Sequence, residues 1–207
     1  MKGLLIKDAI LIKKYCLFHF FVSILFFAIS VFGQENLFFG YYAVTMISII
    51  PITISAYDEQ TKWNSYEAIL PVGRKNIAAE KHLITLCLVL PVTLIYSAVL
   101  YFAKEKSLNT FLLNAAMMLL FGIISPCIIL PIISRFGYLK GRIINFIIIA
   151  ILVVIASISA SASGIIESTG GIKLTAGVLA AILAAAAVLI FIASLLISAA
   201  IYSKKEF

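Results

Sequence analysis

An all-α, polytopic membrane fold with six transmembrane helices is what the sequence predicts, and three observations predict it. Of the 207 residues, 63% are hydrophobic and 12% are charged, whereas about a quarter of the residues in soluble domains are charged. Six runs approach the ~20 mostly apolar residues that a helix needs to cross hydrocarbon: Leu17 to Gly33, Leu37 to Ala56, Leu83 to Ala103, Leu112 to Ile133, Ile143 to Ser163 and Thr175 to Ile201. All 16 basic and all nine acidic side chains fall outside those runs, as expected where a central charge costs about 3 kcal/mol. The runs are continuously apolar, whereas the strands of a barrel alternate, so helices are indicated. The whole chain, 1–207, reads as one transmembrane domain.

Ahead of the first run, residues 1–15 combine Leu4, Leu5, Leu11 and Ile12 with Lys2, Lys7, Lys13 and Lys14, a pattern that fits a short helix lying in the membrane interface. The amphipathicity is imperfect. Asp8 falls inside the apolar arc, and Ile6 and Ile10 fall among the lysines, so an N-terminal extension of the first span is the alternative. The first run is read as a retained span, since no small-residue cleavage site follows the lysines and five further spans do.

The connections Gln34 to Asn36, Lys104 to Thr110 and Gly164 to Leu174 are short, and the last, with Gly170 and Gly171, forms either a flexible loop or a segment dipping back toward the membrane. The substantial polar segment is Tyr57 to His82, with four acidic and four basic residues. Asp58 suits a helix cap, and Asp58 and Glu59 complement the dipole of a helix starting there. Trp63, Tyr66, Ile69 and Leu70 then recur at helical spacing, Pro71 ends the element, and a second helix restarts near Arg74. Trp63 and Tyr66 form either a docking face or interfacial anchors.

In the later runs, Gly177, Ala181 and Ala185 stand beside Ala184, Ala186 and Ala187, and the fifth run carries Ser157, Ser159, Ala160, Ser161 and Ala162. Small residues at such spacing let helices approach closely, within one chain or between two. Polar neutral residues in the runs, among them Ser23, Ser30, Thr45, Ser48, Thr53, Ser55, Asn114, Ser125 and Asn145, line a path or bond to the backbone.

Orientation follows from the basic residues. Alternate segments place 13 of the 16 on one side and three on the other, which puts both termini in the cytoplasm. The same bias accounts for the net charge of +7 without nucleic acid. Three cysteines, Cys16, Cys87 and Cys127, lie in or beside spans and imply no disulfide framework. No phosphate-cradling loop, His-Glu-x-x-His or Cys-x-x-Cys motif occurs, no paired carboxylates lie within a span, and the spans hold no proton-relay acid. The expectation is a chain that is not an enzyme, binds no cofactor or metal, and draws energy from elsewhere.

Asp58-Glu59, Trp63, the run Leu70-Pro71-Val72-Gly73-Arg74 and Glu80-Lys81 leading into the third span together resemble the membrane subunit of bacterial ATP-binding-cassette (ABC) exporters of the second export type. The layout is similar along the whole chain. The nearest branch in length and pattern is that of small permeases including exporters of amphipathic peptide toxins such as the phenol-soluble modulins; Gly73 and His82 depart from it. The resemblance implies a bacterial cytoplasmic-membrane location, two permease chains forming the pathway, and two separate ATPase subunits carrying ATP and Mg. Each ATPase would grip a coupling helix within 57–81, with Asp58, Glu59, Lys62, Trp63, Tyr66, Glu67 and Arg74 as its contacts. It also implies export of an amphipathic or antimicrobial peptide. Self-protection against such a peptide, a motor-independent channel or carrier, and a non-transporting scaffold are the competing functions.

Overall fold

A computed structural model describes residues 2–33, 37–63, 66, 73–103, 108–166 and 176–204. Among them are eight α-helices and no strand: α1 (Lys2–Tyr15), α2 (Leu17–Phe32), α3 (Leu37–Ser48), α4 (Ile50–Gln60), α5 (Arg74–Ala103), α6 (Leu108–Phe136), α7 (Tyr138–Ile166) and α8 (Ala176–Lys204). By length and composition, four helical stretches among the described residues suffice to cross a membrane: Phe38–Gln60, Asn76–Ala103, Phe111–Phe136 and Gly177–Ser203. The pair α1 and α2 makes a fifth if it is taken as one broken span. The glycine-containing segment at 167–175 and part of the expected coupling helix, residues 64, 65 and 67–71 with Ile69, Leu70 and Pro71 among them, lie outside the described residues.

The N-terminal helix is not a straight extension of α2. The two meet at Cys16 with a bend of 65°, and one face of α1, carrying Leu4 and Asp8, is buried while Ile6 and Ile10 are exposed. The second apolar run is also interrupted. Helix α3 stops at Ser48, and α4 resumes with Pro51 in its first turn, where proline costs no intrahelical hydrogen bond. Ser48 donates to the Thr45 carbonyl and Thr53 to that of Ile49, so hydroxyls bond backbone at the break.

The later helices are longer than the apolar runs that predict them. At 1.5 Å per residue, 29 residues extend about 44 Å, beyond a hydrocarbon core of about 30 Å, so the helices continue through their flanking charged residues. Helix α5 starts at Arg74, as expected, after the Asn76 amide donates to the Gly73 carbonyl. Gly137 alone joins α6 to α7, with a φ of +85° that a side chain would strain.

The central core is Val44, Val89, Leu100, Met118, Ile123, Cys127 and Ala187, drawn from α3, α5, α6 and α8. Gly122 sits at its tightest point, where an added Cβ would lie 2.7 Å from Val89 and 2.8 Å from Val44. Polar groups tie the helices together as well. Ser23 donates to the Ala43 carbonyl and lies 2.9 Å from the Tyr96 hydroxyl, and Ser125 donates to Asn145. From α8, Ala180, Ala187, Ser194 and Ser198 turn inward, while Ala181 and Ala185 are exposed.

Candidate functional site

The charged residues that flank the apolar runs converge at the α1 end of the bundle. Asp8 is 0% exposed, Asp58 3% and Lys81 8%, burial that charged groups tolerate only when paired. With Lys7 they form a closed ring. Lys7 Nζ lies 2.8 Å from carboxylate oxygens of both Asp8 and Asp58, and Lys81 Nζ lies 2.8 Å from Asp8 and 2.7 Å from Asp58. Two ammoniums and two carboxylates thus alternate, joining α1, α4 and α5. Removing one member would leave a buried charge uncompensated.

Beside the ring is a cleft of about 250 Å³ between α4, α5, α6 and α8, lined among others by Ser55, Glu59, Lys81, His82, Ser134 and Ser198. Glu59 reaches across to the start of α7, where its carboxylate accepts the Tyr138 amide, one of the helix's unsatisfied first donors. His82 is held between helices. Its Nδ1 donates to the Ala78 carbonyl at 3.0 Å, its Nε2 lies 2.9 Å from the Ser194 hydroxyl, and Ser194 donates to the Cys127 carbonyl at 2.6 Å.

The residues expected to contact an ATPase divide accordingly. Asp58 does not cap a helix: it lies in the last turn of α4, which runs on from the second apolar run to Gln60, and its carboxylate faces Lys7 and Lys81. Glu59 faces α7. Lys62 follows the end of α4 with a φ of +54°, a left-handed conformation that closes the helix as glycine more often does. Trp63 and Tyr66 are both helical, with ring centroids 5.1 Å apart. Tyr66 is 55% exposed, and the indole N–H of Trp63 has no hydrogen-bond partner among the described residues. Lys7 Nζ sits 4.8 Å above the Trp63 ring, so the aromatic pair abuts the ion ring. Glu67 and the side chain of Arg74 are outside the described residues.

Sequence reasoning left out Lys7, Asp8, Lys81 and Ser198. The signal for one of them was present, since Asp8 interrupts an apolar arc. Among the described residues no group of His, Cys, Asp or Glu could hold a metal ion.

The arrangement is a mechanical one: a buried charged clamp, an aromatic pair attached to it, and no constellation for bond-making chemistry among the described residues. No curated protein and no solved structure matches the chain significantly. A family model described as ABC-2 family transporter protein matches residues 3–203, a span that includes the clamp, the aromatic pair and every helix, and the chain therefore belongs to the ABC-2 family of transporters, as a membrane permease.

Proposed function

We propose that this permease exports amphipathic peptides, two chains forming the pathway and each docking a separate cytoplasmic ATPase through the segment after α4. Six spans cross the membrane in this reading, α2 and α7 completing the count and α1 lying in the interface, with both termini cytoplasmic in a bacterial plasma membrane. ATP and Mg belong to the ATPase partner, and this chain contributes no catalytic group. Family membership supports the ATPase partnership. The basic-residue asymmetry supports the orientation, and the lack of fixed charge in the apolar runs supports an apolar or amphipathic cargo rather than a strongly ionic one.

The observation that carries the docking site is the aromatic pair. Trp63 and Tyr66 lie side by side next to the buried ring, tilted against each other, and the Tyr66 phenol is exposed, as at the aromatic anchor of an interface hot spot. Lys62, Trp63 and Tyr66, with Glu67 and Arg74 nearby in sequence, form the contact. Asp58 and Glu59 act behind it, fixing the segment to α1, α5 and α7. A push on the aromatic pair reaches the clamp through Lys7, and through Lys81 it reaches α5.

The test is co-purification of a tagged permease with its ATPase, followed by peptide-stimulated ATP hydrolysis. At about 2 kcal/mol for each hot-spot residue, Trp63→Ala with Tyr66→Ala weakens binding by up to roughly a thousandfold, while membrane insertion is retained because no apolar run is altered. Undiminished ATPase recovery and stimulation would mean that the pair only anchors the chain among headgroups.

A further inference from the structure

The cleft beside the ion ring is rich in hydrogen-bond acceptors and holds one carboxylate, Glu59, with no ion-pair partner among the described residues. Ser55 donates its hydroxyl hydrogen to the Pro51 carbonyl and Ser134 to the Pro131 carbonyl, so each presents only lone pairs to the cleft. Glu59 accepts only, and its described partner is a neutral backbone amide. Ser198, 2% exposed, lines the same cleft and has no hydrogen-bond partner among the described residues. A buried hydroxyl without a partner destabilises the fold, and a ligand supplying one removes that cost.

The charges in the wall point the same way. Lys81 lines the cleft, but its ammonium is matched by Asp8 and Asp58 at 2.7–2.8 Å. His82 uses its Nδ1–H on the Ala78 carbonyl. Against the ammoniums of Lys7 and Lys81 stand the carboxylates of Asp8, Asp58 and Glu59, and among the described residues no lysine or arginine lies within ion-pair distance of Glu59. An anion would meet Glu59 and lone pairs. A group with several N–H donors and one positive charge meets what the cleft lacks.

We infer that this cleft binds a primary ammonium group, with Glu59 as its counter-charge and the oxygens of Ser55, Ser134 and Ser198 as its hydrogen-bond acceptors. Two sources offer that chemistry: a lysine side chain of a peptide, and the headgroup of an aminophospholipid. The peptide source deepens the export reading proposed above and rests on it; the lipid source does not.

Both sources are tested on the full-length permease in nanodiscs without any ATPase, so the result is independent of the docking experiment. In the first arm, a fluorescent amphipathic helical peptide bearing lysines, and the same peptide with its lysines acetylated, are titrated into phosphatidylglycerol nanodiscs and followed by anisotropy. In the second, lipids retained from phosphatidylethanolamine and phosphatidylcholine nanodiscs are counted by native mass spectrometry. Glu59→Gln keeps an amide oxygen for the Tyr138 N–H and removes the charge. It is expected to weaken the ammonium ligand about tenfold, and Ser198→Ala about threefold, on the scale of a lost charge-assisted and a lost neutral hydrogen bond. Acetylated peptide and phosphatidylcholine, which lacks N–H donors, are expected to be insensitive to both substitutions. Loss in either arm supports the site and identifies its source. If both variants bind lysine peptide and retain phosphatidylethanolamine as the wild type does, the inference is overturned.

Discussion

Lys81 is the residue on which the α1 end of the molecule turns. It stands next to the third apolar run, its ammonium contacts two carboxylates from two other helices, and without it Asp8 and Asp58 would share the single cation of Lys7. Breaking a buried pair on one side costs about 3–5 kcal/mol. Lys81→Leu is therefore expected to lower unfolding stability by about that amount, read from the midpoint of denaturation in mild detergent micelles, and an unchanged midpoint would show that water screens the ring. The sequence made each member of this ring visible as a charge outside the apolar runs, and Asp8 visible as a misfit on the α1 wheel. It did not make the ring itself visible. Asp8 and Lys81 are 73 residues apart, and no local pattern links them. The same holds for Asp58, which suits a helix cap by residue type, while the continuation of α4 to Gln60 places it inside a helix and turns it toward Lys7.

At the scale of the element, each apolar run falls largely within helix, and α4 to α8 run on past the charges at which the runs stop. Helix α2 matches its run closely, since Cys16 and Gly33 bound it on both sides. Helix α5 begins at Arg74, where the sequence places a restart, and runs on past Leu83 into the apolar run, because a helix continues for as long as its backbone bonds are made, whether or not lipid surrounds it. The interruption at Ile49 was legible only as Pro51, which has no N–H to donate to the carbonyl four residues back and is tolerated where a helix starts. The bend between α1 and α2 separates the two alternatives left open for residues 1–15, and it has a direct consequence. Spin labels at Ile6 and Ile10 are expected to be accessible to oxygen dissolved in the bilayer, whereas labels replacing Leu4 are expected to be shielded. Equal accessibility at all three positions would contradict the packing of α1 on α4 and α5.

For the whole molecule, the asymmetry of basic residues predicts how it sits in the membrane. With both termini inside, single cysteines at Lys75, Lys140 and Lys204, in a background lacking Cys16, Cys87 and Cys127, are expected to resist an impermeant thiol reagent in intact cells. Cysteines at Gln34, Lys106 and Ser168 are expected to react. Labelling at position 75 or 140 would reverse the orientation and place the aromatic pair on the wrong side for an ATPase. At this scale the membrane class and the all-helical fold were legible in the sequence, because hydropathy acts over whole segments. The cleft was the least legible: Ser55, Glu59, Ser134 and Ser198 belong to three different helices, and their meeting depends on how α8 lies against α6.

The ring also sets a timetable for biogenesis. Asp8 leaves the ribosome 73 residues ahead of Lys81. At about 5–20 residues per second, synthesis of that interval takes roughly 4–15 s. Throughout it Asp8 has Lys7 beside it but neither Asp58 nor Lys81 available until those segments emerge, so α1 has no complete charge environment to enter. Helix α1 thus reaches its final seat only after α5, made well behind it, arrives and closes the ring over it.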